Sequence, residues 1–303
     1  MTLPKRWAKA YGVTKGSAVL VEETPSGALI VAPFSRGESK VTLKHRTGDS
    51  RGTVRKLFAA YLDGYDVIEL TSEPVISASD MLVIKKAASA LPGLEVMEEE
   101  ATRLVLRCVI DPSLLSPRDL ITRMGKLVAG MLRDLSKATM LRDGELARLV
   151  VDRDDEVDRL YFLLVRIVRK ASQDFSLMSR AGLSPTELID YRVAGMLLES
   201  AADSLVSLAG YCQSLDGDPA KTLARVAESA ASLVGRCLQA LLERDVSSAV
   251  EAQREARALV ESLSGIEGGP VGQAADYLGD VLARFIDLCD LVSPGPGYPM
   301  RSR

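Results

Sequence analysis

From Ser116 to Val292 the apolar residues recur at intervals of three and four, and no stretch alternates as a strand does. Val157, Leu160, Leu164 and Ile167 fall at i, i+3, i+7 and i+10; Leu197, Ala201, Leu205 and Leu208 fall at i, i+4, i+8 and i+11. Such spacing gathers apolar side chains on one helical face. Five breaks interrupt it: Arg142-Asp143-Gly144, Gly182-Leu183-Ser184-Pro185, Asp216-Gly217-Asp218-Pro219, Arg244-Asp245, and Gly265 to Pro270. They leave six helical segments, which read as two weakly similar copies of a three-helix unit. Ser184-Pro185-Thr186-Glu187 is a helix start, with Ser as cap, Pro in the first position and Glu in the third.

Between Glu38 and Pro112 the period changes. Strands are expected over Lys40 to Arg46, Tyr65 to Leu70, Leu94 to Met97 and Arg103 to Ile110, the last two paired. Helices are expected over Arg51 to Leu62, stopped by Asp63-Gly64, and from a Ser79-Asp80 cap to Leu91, closed by Pro92-Gly93. Strands alternating with helices indicate a small α/β layer.

The front, Met1 to Pro33, predicts a short helix opened by Leu3-Pro4 and stopped by Gly12. Two strands follow, Ala18 to Val21 and Ala28 to Ala32, around a Pro25-Ser26-Gly27 turn. So short a unit cannot bury a core alone and must borrow surface. Trp7 is expected in its core. His45, within Lys44-His45-Arg46, is expected at the surface. Ser293-Pro294-Gly295-Pro296-Gly297 reads as an unstructured end.

Length and composition narrow the function. A chain of 303 residues exceeds one ordinary core. With 47% hydrophobic, 26% charged and only 5% aromatic residues, it has the make-up of packed helices. The apolar stretch Leu160 to Val168 is short and broken by Arg166, far from the roughly 20 residues a membrane span needs. No membrane insertion is expected, and the start has no export-signal pattern, so the expected location is cytoplasmic. Cys108, Cys212, Cys237 and Cys289 are widely separated, without zinc-ligand spacing, and are expected as free buried thiols. His45 is the only histidine, which excludes His-based metal or Ser-His-Asp triads within one chain. The formal charge of −3 divides into +7 over residues 1–60 and −10 over the rest. A basic front on an acidic body suits contact with a polyanion through one end.

The segment from Leu3-Pro4-Lys5-Arg6-Trp7 through Gly12-Val13 to Gly16 and Val19 resembles the AbrB-type DNA-binding module, also called AbrB/SpoVT-like. Leu57 to Ile68, Leu-Phe-Ala-Ala-Tyr-Leu-Asp-Gly-Tyr-Asp-Val-Ile, resembles the middle segment of archaeal proteins that join such a module to PhoU repeats. The helical region resembles PhoU, a phosphate uptake regulator. The resemblance implies a mainly α fold: a duplicated three-helix bundle of six helices, preceded by a small α/β segment and a partial AbrB-like β module. The implied boundaries are 1–37 for the AbrB-like module, 38–115 for the α/β middle domain, 116–215 and 216–293 for the two PhoU-like repeats, and 294–303 for the tail. The family's module opens with a strand that has no counterpart before Leu3. Either the start lies upstream of Met1, where an in-frame basic strand would complete the module, or the barrel is incomplete.

PhoU-like bundles carry acidic pairs at i, i+4 that bind metal. Here Asp154 or Asp155 with Asp158, and Glu199 with Asp203, keep that pattern in the first repeat. Residues four apart share a helix face. Like charges there repel by about 0.2–0.5 kcal/mol, which a bridging cation offsets. The resemblance implies a divalent or trivalent ion (Fe, Mn, Mg or Zn); an oxygen-only donor set suits the harder members of that group. In the second repeat the corresponding positions hold Gln253, Arg254 and Arg257, and Gly272 stands where Glu199 would, with Asp276 kept. No comparable site is expected there.

The resemblance implies a non-enzymatic regulator of phosphate uptake and phosphate signalling. Its implied partners are components of a phosphate ABC transporter or an associated signalling protein. A homodimer is implied, with DNA contacted through Lys5, Arg6, Lys9 and Lys15 of the front. The alternatives are an AbrB-type transcription factor with a helical sensing domain and a carboxylate-bound metal phosphohydrolase.

Overall fold

The computed structural model describes residues 2–23, 27–33, 38–111 and 114–293. The chain forms two compact units, one of residues 1–114 with 166–188 and one of residues 115–165 with 189–303.

In the first unit, helix α1 (Lys5–Ala10) precedes an antiparallel hairpin of β1 (Val19–Glu23) and β2 (Leu29–Pro33). Gly12 takes φ +64°, a left-handed turn that ends the helical run. Of the expected turn, Pro25 and Ser26 lie outside the described residues. No residue of α1 is buried, so Trp7 is a half-exposed side chain against Tyr11, its ring 5.5 Å away, rather than core. A six-residue helix offers too little surface to enclose an indole.

The sheet that follows has the order β3-β4-β6-β5: β3 (Lys40–His45), β4 (Val67–Ser72), β5 (Leu94–Glu100) and β6 (Arg103–Cys108). β3 and β4 are parallel, with Leu43 opposite Leu70 and His45 opposite Ser72; the other neighbours are antiparallel. α2 (Ser50–Leu62) and α3 (Ala78–Ser89) pack on each other and on the strands. Leu57, Tyr61, Ile68, Leu70, Ile84, Leu104 and Leu106 fill the core. Asp49 caps α2 by accepting from the Gly52 amide at 2.9 Å. The third helix starts earlier than expected: Ser77 is its cap, accepting from the Asp80 amide, and Ser79-Asp80 lie in its first turn.

His45 is not a surface residue. It is 3% exposed, its Nδ1 lies 2.7 Å from Thr53 Oγ1, and its Nε2 lies 3.3 Å from Asp80 Oδ2. The two-residue period of β3 sets Val41, Leu43 and His45 on the inward face, while Lys44 and Arg46 point out.

In the second unit α4 (Pro117–Leu141) packs along α8 (Gly217–Glu243), and α9 (Val246–Glu261) and α10 (Gly269–Asp290) close on α8 and on each other. α5 (Gly144–Gln173) and α7 (Pro185–Ala209), the other long helices, have residues in both units, because residues 166–188 belong to the first. The six expected segments are therefore present, with a short helix, α6 (Phe175–Arg180), added where Asp174 ends α5 and caps anew. The apolar positions chosen by period, from Val157 to Ile167 and from Leu197 to Leu208, are all buried. Ser184 and Glu187 form the reciprocal capping box. α4 and α8 end alike: Arg142 and Arg244 take φ +52° and +57°, and the aspartate after each caps the next helix. This shared turn is the clearest trace of duplication. All four cysteines are free and buried. Among the described residues no helix is long and apolar enough to cross a membrane.

Candidate metal centre of the first repeat

α5 and α7 run close because α7 carries Gly195 where α5 carries Leu164. A Cβ on Gly195 would sit 2.3 Å from Leu164 Cδ2. Ala194, Ala201 and Ala202 keep the α7 side small and buried. The helices are antipolar here, so the turns of α5 before Leu164 meet the turns of α7 after Gly195. Asp154 and Asp158 thereby come within electrostatic reach of Glu199 and Asp203.

The consequence is a set of carboxylates that resist ionisation. Burial raises Asp154 to about 6, helped by the charges of Asp158, Asp203 and Asp155. Burial raises Glu199 to about 7, helped by Asp203, Asp158 and Asp154 and opposed by Arg192. Asp158 is raised by burial, then by Asp203 and Asp155. Desolvation and like charge both disfavour the anion. Neighbouring cations give little relief. Arg153 pairs with Asp134 on α4, and the Arg192 guanidinium lies 5.1 Å over the Tyr161 ring.

Four of the five residues expected from the sequence thus form one cluster: Asp154, Asp158 and Glu199 are half-buried, and Asp203 is exposed at its edge. Asp155 is exposed beside it and adds its charge. Arg192 was not foreseen, although it lies seven residues before Glu199 and so on the same face of α7. Asp154 Oδ1 is buried without a hydrogen-bond partner. An orphaned carboxylate oxygen amid further acids fits a hard cation, which would satisfy the lone pairs and offset the repulsion. Among the described residues no group of three or more His, Cys, Asp or Glu side chains stands ready-placed around a metal position. Holding such an ion would require these side chains to turn toward one another.

The second repeat has no such cluster among the described residues. Gln253 donates to Asp290 Oδ1, and Arg254 and Arg257 replace acids on α9. On α10 a Cβ at Gly272 would lie 3.0 Å from the Glu267 carbonyl carbon, so the tight start of the helix crowds out a larger residue where Glu199 has its counterpart.

At the front, Lys5, Arg6 and Lys9 are exposed on α1, and Lys15 is exposed in the turn after it. The four share the front of the chain and make no ion pair among the described residues.

No curated protein matches the chain. Residues 121–211, a span that holds most of α4, all of α5 through α7 and all five acidic residues, match the family model described as the PhoU domain.

Proposed function

We propose that this protein regulates phosphate uptake through contacts of its helical bundle, with a metal-binding acidic centre in the first repeat. The observation that carries the reading is that the PhoU domain match contains the cluster of carboxylates whose ionisation burial and like charge oppose. Asp154, Asp158, Glu199 and Asp203 would hold the ion. The ion supplies positive charge that ties α5 to α7; the role is structural and regulatory, not catalytic. Partners of the phosphate-transport system, and a second copy of the chain, complete the proposal. The decisive experiment is deletion of the gene in its native host, with radiolabelled phosphate uptake measured in phosphate excess and limitation. Uptake that loses its dependence on phosphate supply, and regains it with the wild-type gene, supports the reading. Unchanged uptake in both conditions overturns it.

A second reading concerns the front. The exposure of Lys5, Arg6, Lys9 and Lys15, at the start of a stretch whose residues 1–60 carry net charge +7, favours duplex DNA as a ligand of the front. It adds transcriptional output to the same regulator.

A further inference from the structure

Between α4 and α8 lies a groove of about 580 Å³, on helices that lie outside the acidic cluster. Its floor is made by close approach. A Cβ on Gly125 would lie 2.1 Å from Leu238 Cδ1, so this glycine lets the two helices meet there. Three residues before Leu238, less than one helical turn away, the groove is open: Gly235 is exposed, and a Cβ on it would touch nothing within 4 Å.

One wall is cationic. Arg118, Lys126 and Arg133 line the groove from α4 and are exposed. At 3.6 residues per turn they fall within roughly 80° of one another and span about 22 Å. Lys126 and Arg133 make no hydrogen bond or ion pair among the described residues. Arg118 gives one N–H to the Leu242 carbonyl at 3.2 Å, which leaves its other donors free. Glu243 is the one acid among the lining residues, at the groove's end, and it accepts from Gln239.

The dimensions choose the occupant. A small anion cannot meet three charges spread over about 22 Å, whereas a partner helix of four turns can. An extended peptide gains its affinity from free backbone groups at a sheet edge, and α4 and α8, hydrogen-bonded within themselves, offer none. A helix laid in the groove places small apolar side chains on the Gly125–Leu238 floor and acids against the α4 wall. We propose that this groove docks an acidic amphipathic helix of a partner protein.

The test uses the full chain and a fluorescent alanine-leucine helical peptide bearing three glutamates at the spacing of Arg118, Lys126 and Arg133. Its glutamine counterpart is the control, and binding is followed by anisotropy at low salt. The acidic peptide is expected to bind at least about tenfold more tightly than the control. Lys126→Glu with Arg133→Glu should abolish that preference. Gly235→Leu, which fills open space without touching the core, should weaken binding by about tenfold while circular dichroism stays unchanged. Equal binding of the two peptides, or indifference to Gly235→Leu, overturns the proposal. So does a duplex DNA that displaces the peptide with higher affinity, or a dimer in sedimentation velocity that Gly235→Leu dissociates, since the occupant is then nucleic acid or a second copy.

Discussion

Arg166 donates from Nη1 to the backbone carbonyl of Tyr61 at 2.7 Å, and its guanidinium lies 4.9 Å over the ring of the same tyrosine. The arginine is 2% exposed. Nearby, burial pushes the Asp66 carboxyl up, but the Lys170 ammonium and the Ser39 donors outweigh it and hold the group below the usual carboxylate range. Arg166→Ala removes the donor to Tyr61 and part of the positive field around Asp66, leaving buried acceptors short of partners. The expected loss is about 2–4 kcal/mol in urea unfolding. Arg166→Lys should recover less than half of it, because an ammonium cannot stack and donate in the same plane. A loss below about 0.5 kcal/mol for the alanine variant would show that the carbonyl is well solvated.

Arg166 also shows what the sequence conceals. In the chain it is a charge that interrupts an apolar run, a reading that speaks only against a membrane span. Which carbonyl it answers depends on Tyr61, a hundred positions earlier, and no local pattern encodes that. His45 was legible in part: the alternation through Val41 and Leu43 sets it inward, and only the basic flanks Lys44 and Arg46 argue for the surface. The helices of the body were legible because their period runs for many turns between strong breaks. α6 was not, since Asp174 ends one helix and caps the next without glycine or proline. The acidic centre was half legible. The i, i+4 spacing names residues on each helix, while Gly195 against Leu164, which sets the helices together, is a contact between distant positions.

The acidic cluster makes a prediction with a definite sign. Asp154 and Glu199 hold their protons up to about 6 and about 7, above the ordinary values. Between roughly pH 4 and those values the folded state binds more protons than the unfolded one, so stability falls as pH rises through that window. Metal-free protein should therefore melt several degrees higher at mildly acidic pH than at neutral pH. Manganese at neutral pH should restore the difference, and Asp158→Asn with Glu199→Gln should flatten both responses. A melting temperature that rises with pH across this range, or that ignores manganese, would sink the account. Metal content of dialysed protein gives a second readout: the double variant should lose what the wild type retains.

The left-handed arginines offer a test of strain. An L-residue with a side chain at positive φ costs about 1 kcal/mol relative to glycine, partly offset by the greater freedom of glycine in the unfolded chain. Arg142 gains from an exposed pair with Asp216 at 3.3 Å, which contributes little in water. Arg142→Gly should therefore stabilise the protein by up to about 0.5–1 kcal/mol. Arg142→Val, branched at Cβ, should destabilise it by a similar amount or more. Thermal and urea unfolding of the pair distinguish backbone strain from ion pairing. If both variants lose equally, the lost ion pair explains them and the strain does not.

The front segment makes the last prediction. If Lys5, Arg6, Lys9 and Lys15 all meet phosphates, each displaces condensed counterions from the duplex. The logarithm of the binding constant should fall with the logarithm of salt concentration at a slope near −3.6, about −0.9 per contact. Lys5→Gln with Lys9→Gln, both on the exposed side of α1, should reduce that slope by about 1.8 without unfolding a helix that buries none of its residues. Variation of the duplex sequence should leave the slope unchanged while shifting affinity, since phosphate contacts position the protein and base contacts specify the site. A slope unaffected by the double substitution would move any DNA contact away from α1.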